Sequence, residues 1–302
     1  MIYDIKVTIS YRYGAPVLAG RHLIRLSPFK DGPDQTVHAV SLDVTPAPDD
    51  RGSFRDFFGN MASIAAFETA HDRVDVTLTT RVERHAGMLA AAAPSLALDA
   101  LPASLQATRS LESGSPLHFL GASPRVRPSR LLHDYAADHL PAFVSVEEAV
   151  RLIGERLNAD MTFDSGATTV ETRHEDAFTS RRGVCQDFSH IMIAVLRSLG
   201  IPAGYVSGVL RTTPPPGQER LAGADAMHAW VRAWCGPSRG WIEYDPTNAC
   251  AVATDHVVIA RGRDYSDVSP IKGVLRASSR QSSSHSVDVI PVEMAGQSQR
   301  QG

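Results

Sequence analysis

The sequence predicts an α+β fold in which a block of strands comes first and helices packed on further strands follow. Three observations carry that expectation. From Met1 to about Ala86, apolar and polar residues alternate in short runs separated by turns rich in Gly and Pro. From Ser129 to Leu199 the apolar spacing changes to the three- and four-residue steps of amphipathic helices. After Gly200 alternation returns, with a compact Gly- and Pro-containing turn between two aromatic-rich runs.

In the first block, Ile5, Val7 and Ile9 alternate with polar residues, as do His22–Leu26, Val37–Val44 and Val74–Val82. Gly14–Pro16, Asp31-Gly-Pro33 and Pro46–Gly52 supply the turns. Strands at this spacing with no helix between them point to a small antiparallel sandwich or barrel over residues 1–86. Asp56-Phe-Phe-Gly-Asn60 reads as a tight turn whose two aromatics plug against the next domain. Residues 87–128 are rich in Ala, Ser and Pro and read as a linker with short helical pieces.

The second block runs from 129 to 276. Ser129 precedes a helix over Arg130–Leu140, and Ser145 with Glu148 has the spacing of a capping box ahead of Val146, Ala149, Val150, Ile153 and Leu157. Ala203–Arg211 reads as a strand, and Thr212–Gly223, with three successive prolines, as an exposed loop. Met227–Trp234 and Trp241–Asp245 form a hairpin around Cys235-Gly-Pro-Ser-Arg-Gly240. Residues 277–302 hold a last strand, Val287–Val292, and a polar tail from Ala295 that is expected to be disordered.

A chain of 302 residues with net charge −3 is long enough for two domains and carries no electrostatic footprint for nucleic acid or a membrane surface. Three cysteines, at 185, 235 and 250, are too few and too scattered for a disulfide framework. The run Met88–Leu105 is broken by Pro94, Asp99 and Pro102 and cannot span a bilayer. The expectation is a soluble, cytoplasmic protein with reduced thiols. Its twelve histidines show no metal-ligand spacing, and there is no Gly-rich phosphate loop, so neither metal nor cofactor is expected.

Chemistry concentrates around Thr179–Gly200. Phe188, Ile191, Met192, Val195, Leu196 and Leu199 form one apolar stripe, so the helix begins near Gly183–Cys185 and ends near Leu199. Gly200 suits its C-cap, and Pro202 stops it. Cys185 then lies at the helix N-terminus, where unpaired N–H groups and the dipole favour a thiolate. Gly183 allows close backbone approach just upstream. Taken alone, such a cysteine reads more simply as a small buried hydrophobe.

The hairpin changes that reading. Period two puts His228, Trp230, Arg232 and Trp234 on one face, and Trp241, Glu243 and Asp245 on one face of the partner strand. A register that faces Trp241 with Trp234 or Arg232 sets Asp245 directly or diagonally across from His228. A carboxylate beside an imidazole fixes its tautomer and stabilises the imidazolium, which can in turn hold a thiolate. Among rival residues, His190 reads as a packing histidine turned away from Cys185, and Asp187 as a complement to the dipole. Cys235 and Cys250 have no nearby base and read as structural. Arg261, Arg263, Asp264 and Tyr265 fit a cleft lining and a salt-bridged closing loop equally well.

Gly183-Val-Cys-Gln-Asp-Phe-Ser-His190, Leu196-Arg-Ser-Leu-Gly-Ile-Pro-Ala203, Asp225-Ala-Met-His-Ala-Trp230 and Tyr244-Asp-Pro-Thr-Asn248 resemble the bacterial transglutaminase-like proteins. The resemblance implies a papain-like core, with the cysteine-bearing helix packed on an antiparallel sheet. It extends to the amino-terminal strands with Asp56–Asn60, and to Ala260-Arg-Gly-Arg-Asp-Tyr-Ser-Asp-Val268 and Lys272-Gly-Val274 at the close. By similarity Cys185 is the nucleophile, His228 the general base and acid, and Asp245 the residue that orients His228. Animal transglutaminases use a tryptophan upstream of the cysteine as an oxyanion donor, whereas the first tryptophan here is Trp230. The Cys185 N–H is therefore one expected donor, with Gln186 a candidate for the other. Gln186, Trp230 and Trp241 are the candidate substrate-binding residues. No acidic calcium loop is present, so no metal requirement is implied. The implied function is acyl transfer through a thioester, from a peptide or glutamine amide of a protein or peptide substrate to water or an amine. The rival is a non-catalytic binding module that keeps the fold.

Overall fold

The computed structural model describes residues 1–30, 32–85, 93–137, 140–212, 223, 225–275 and 280–292. The alternation in the first block produces long strands with one buried face. In Ile2–Val17, the side chains of Tyr3, Ile5, Val7 and Ile9 point inward, and the intervening positions are more exposed. This strand lies between Gln281–Pro291 and His71–Arg84, and Gln35–Thr45 forms the far edge, all antiparallel. A second four-stranded antiparallel sheet runs Ile271–Leu275, Gly20–Ile24, Met61–Phe67 and Asp50–Arg55. Ile24, Ala65 and Phe67 from this sheet share one buried cluster with Val7, Val76 and Leu78 from the other.

Two strands come from the far end of the sequence. Ile271–Leu275 pairs with Gly20–Ile24, and Gln281–Pro291 pairs with Ile2–Val17. The closing segment thus completes the amino-terminal sheets and ties the two ends of the chain together.

The Asp56–Asn60 turn joins two strands of the second sheet. Asp56 Oδ1 accepts from the backbone of Phe58 and Asn60 at 3.0 Å each, and Gly59 takes φ +83°. Phe58 packs 5.7 Å from Phe119 in the following segment, while Phe57 remains 58% exposed beside His118. Residues 93–128 contain the short helix Leu101–Ala107 and two 3₁₀ turns, with Leu101 and Phe119 buried.

The core has a five-stranded antiparallel sheet in the order Cys250–Ala251, Trp241–Asp245, Ala226–Trp234, Ala203–Leu210, His256–Gly262. Its central strands carry the helix Cys185–Ser198, around which Arg130–Ala137, Val146–Asp160 and His174–Ser180 gather. The central helix is buried on every side from Gln186 to Leu196, which is why its stripe is wider than an amphipathic helix requires. Gly200, at φ +76°, closes it, and Ile201 N–H returns to Leu196 O at 3.0 Å. Ser145 Oγ caps Val146–Asp160 by accepting from Glu148 N–H, but the Glu148 carboxylate pairs with Arg151 instead of closing a capping box. Among the described residues no helix is long and apolar enough to cross a membrane. The Pro-rich loop and the polar tail lie outside the described residues.

Candidate active site

Local packing fixes where the cysteine-bearing helix begins. Asp187, in its first turn, reaches back to accept from Val184 N–H at 2.8 Å and also takes the Thr168 hydroxyl at 2.6 Å. A Cβ at Gly183 would meet Asp187 Oδ2 at 2.6 Å and Asp187 Cβ at 2.8 Å, so a side chain there would displace this cap. Asp187 is buried, and burial pushes its carboxyl above the usual range while Thr168 and the Val184 N–H work the other way. Cys185 is the first helical residue and half-buried, and its N–H has no partner within the helix.

The hairpin has the register Trp234↔Trp241, Arg232↔Glu243, Val231↔Tyr244. Continuing that ladder sets Asp245 opposite Trp230 and diagonal to His228, on one face. His228 Nε2 donates to Asp245 Oδ2 at 2.7 Å, and the Cys185 side chain is near enough to the imidazole to raise its pKa. With Nε2 committed to the carboxylate, Nδ1 is the nitrogen that faces the thiol. Burial alone would lower the His228 pKa. The hydrogen bond to Asp245, then the neighbouring Cys185 and the Asp245 charge, raise it instead to about 10. An imidazolium is therefore the favoured form at neutral pH. Across from His228 lies Gly208, where a Cβ would meet the Trp230 ring and Val257 O at 2.3 Å each. The absent side chain leaves room for the Trp230 ring.

Asp245 is wholly buried, yet its carboxylate has donors on both oxygens. Oδ1 accepts from Thr247 N–H at 2.9 Å and Asn248 N–H at 3.2 Å. Oδ2 accepts from His228 Nε2, from Asn248 Nδ2 at 2.7 Å and from His256 Nε2 at 3.1 Å. Burial would raise the carboxyl pKa, but these bonds and the His228 charge hold it far below the usual range.

Neither Asn248 nor His256 was singled out by sequence reasoning. Asn248 had a usable signal, because an Asp three residues before an Asn across a Pro-containing turn is the spacing of a side chain capped by its own turn. His256 had none, since the bond joins it to Asp245 from the opposite edge of the sheet. His228, Asp245 and His256 also present three buried ligand atoms within 4.8 Å of one another, a grouping that linear spacing did not reveal. Direct hydrogen bonds already join them, and a metal there would have to replace the protons those bonds share.

The candidate substrate residues fare differently. Trp230 has no exposed surface. Its Nε1 donates to Glu243 at 2.8 Å and its ring packs with Phe29, Val206, Val252 and Val258. The ring is covered, and period-two alternation cannot tell a solvent face from one covered by the amino-terminal domain. Trp241 is half-buried at the strand end remote from Asp245; its Nε1 donates to Gly114 O at 3.0 Å and Arg232 stacks 3.9 Å over its ring. Gln186 adjoins the nucleophile, but it is buried and its amide donates to Val170 O at 3.4 Å.

The rival residues are structural. His190 is buried and accepts from Tyr265 N–H at 3.2 Å, and burial drives its pKa down to about 3. Arg261 pairs with Glu243 at 2.6 Å, Arg263 with Asp267 at 2.8 Å, and Asp264 accepts from Arg125 N–H at 2.6 Å, which makes that cluster a closing loop. Cys235 is buried, with its thiol pushed up to about 12, chiefly by burial. Cys250 is half-buried opposite Asp245, and its thiol is also pushed up, first by burial and then by that carboxylate.

The chain as a whole has relatives among known proteins. Residues 133–246 match the transglutaminase-like superfamily core, and residues 3–83 match the bacterial transglutaminase-like N-terminal region. An uncharacterised protein of Mycobacterium tuberculosis is 34% identical over 299 residues, covering 96% of this chain and 90% of the relative. A Pseudomonas aeruginosa protein named protein-glutamine gamma-glutamyltransferase is 32% identical over 140 residues, 44% of this chain and 19% of the relative. The crystal structure of a proposed cysteine protease from Cytophaga hutchinsonii superposes with a TM-score of 0.74 at 23% identity, covering 97% of this chain and 91% of that one. At that identity the likeness concerns the fold. The chain belongs to the transglutaminase-like superfamily, with the bacterial N-terminal region preceding the core.

Proposed function

We propose that the protein is a cysteine-dependent acyl transferase or hydrolase acting on peptide or glutamine amide bonds. The observation that carries this reading is the His228 imidazole, held at 2.7 Å by the buried Asp245 and raised in pKa by the neighbouring Cys185 side chain. Such a pair presents a thiolate beside an imidazolium. The Cys185 sulfur attacks the amide carbonyl carbon, and the developing oxyanion is met by the Cys185 N–H at the positive end of the helix. His228 Nδ1 gives its proton to the leaving amine as the C–N bond breaks, leaving a thioester on Cys185. Water or a second amine then attacks that thioester, His228 takes up its proton, and the thiolate departs. Asp245 keeps the imidazole in one orientation through both halves.

Hydrolysis and transamidation share every step up to the thioester, so the deacylating nucleophile alone separates them. The test is mass spectrometry of a peptide library incubated with the protein, with and without a primary amine. Cleavage, deamidation or amine incorporation that disappears in Cys185→Ala supports the proposal. A library left unchanged by the wild type, or changed equally by Cys185→Ala, sinks it.

A further inference from the structure

The acyl-transfer reading uses only one of the three side chains that donate to Asp245 Oδ2. His256 is another, and it is 5% exposed at the start of the edge strand His256–Gly262. Both of its ring nitrogens are engaged. Ala253 N–H points at Nδ1 at 3.5 Å, which places the ring proton on Nε2 and aims it at Asp245 Oδ2, 3.1 Å away. Trp230 meets the ring edge-on at 5.2 Å and 80°, and Trp230 is itself fixed by Glu243, which Arg261 holds at 2.6 Å.

The strand that carries His256 is held from outside the core. Two amides from the amino-terminal domain bond to its outer edge as a neighbouring strand would. Gln35 donates to Val258 O at 2.9 Å and accepts from Val258 N–H at 2.9 Å, while Asn60 donates to Arg261 O at 2.8 Å and accepts from Arg261 N–H at 2.7 Å. An edge strand otherwise leaves these groups unpaired.

We propose that His256 is a positioning residue for the Asp245–His228 pair, fixing the carboxylate so that Oδ2 stays aimed at His228. The role in the reaction rests on the acyl-transfer reading; the geometry does not. Backbone donors at Oδ1 pin one oxygen, and His256 with Asn248 pins the other, so the plane of the carboxylate is set without help from His228. Donors on the charged form also favour that form, and His256 is among those that keep the buried Asp245 ionised. The amino-terminal domain thereby acts on the site at one remove, through the strand it clamps.

The groups facing His228 are Cys185 from the central helix, Asp245 from the hairpin and His256 from the edge strand. A Cys185→Ala background removes the thiol, so the His228 titration then reports its carboxylate and whatever holds that carboxylate. The measurement is side-chain NMR of the histidine nitrogens against pH, with the His228 signals assigned by their loss in His228→Gln. His256→Phe keeps the ring volume beside Trp230 but has no donor, and is expected to lower the His228 midpoint by about one unit. His256→Gln, whose amide reaches as far as Nε2 and can accept from Ala253, is expected to leave the midpoint within ~0.3 unit. Should His256→Phe fail to fold, His256→Asn, too short to reach Asp245, is read in its place with the same expected fall. An unchanged or raised midpoint in the donor-less variant overturns the proposal, as does an equal fall in His256→Gln. An inactive wild type with the expected shifts would refute acyl transfer and leave the positioning role standing; an active one without them does the reverse.

Discussion

Replacing Asp245 with Asn preserves the size of the side chain and an acceptor for the Thr247 and Asn248 backbone N–H groups. It removes the charge 2.7 Å from His228. Burial is the largest influence on that histidine and works against the imidazolium; the carboxylate and Cys185 together overcome it and lift the pKa from 6.5 to about 10. A lift of that size corresponds to on the order of 5 kcal/mol in favour of the imidazolium. The thiol shares that lift, so Asp245→Asn removes only part of it, and kcat/KM is expected to fall by roughly a hundredfold. The basic limb of the pH profile should move with it. His228 must carry a proton to deliver to the leaving amine, and without the carboxylate it loses that proton at lower pH, so the limb falls from near 10 towards neutrality. The assay is kcat/KM against pH on a peptide substrate taken from the library screen, with Cys185→Ala as the zero-activity reference. A basic limb that stays in place, or residual activity as low as that of Cys185→Ala, would refute the role given to Asp245.

Two further predictions concern the frame of the site. Gly208→Ala puts a Cβ 2.3 Å from both the Trp230 ring and Val257 O, and overpacking of this kind costs ~1–3 kcal/mol, read as a lower melting temperature. Cysteine labelling should weaken in parallel, because Trp230 flanks His228 and His256; an unchanged melting temperature would contradict the packing described. His190 is kept neutral because burial holds its pKa far below the ordinary value, so the unfolded chain binds a proton there before the folded one does. Its contribution is intact above pH ~6.5 and is lost as the pH falls towards the lowered value. His190→Gln keeps an acceptor for Tyr265 N–H and should flatten that acid slope in denaturant titrations; an unaltered slope would mean that other groups carry it.

Much of the site was legible because local rules and one long-range rule agreed there. Cap and stripe residues set the helix limits, which the structure gives as Cys185–Ser198, and alternation with the Gly-Pro turn led to the Trp234↔Trp241 register and the His228–Asp245 pair. What failed was of another kind. Asp50–Arg55 is exposed at every position, so it has no alternation to detect, and Met61–Phe67 mixes small and large residues whose faces are buried unevenly. Ile271–Leu275 and Gln281–Pro291 were visible as residues but not as partners of strands more than two hundred positions away. Trp230 was assigned to a substrate surface because nothing local indicates that Phe29 and the amino-terminal domain cover it. His256 depends on a bond across the sheet, for which one sequence holds no marker.

Whether His228 activates Cys185 decides the proposed function. The direct measurement is the rate of iodoacetamide labelling of each cysteine at neutral pH, for the wild type and His228→Ala. Rapid labelling confined to Cys185 is the expected wild-type result. Cys235 should label slowly, since it is buried with its thiol pushed up to about 12. In His228→Ala the Cys185 rate should fall, because the cationic partner is gone while the burial remains. Equal Cys185 rates in the two proteins would contradict that role for His228.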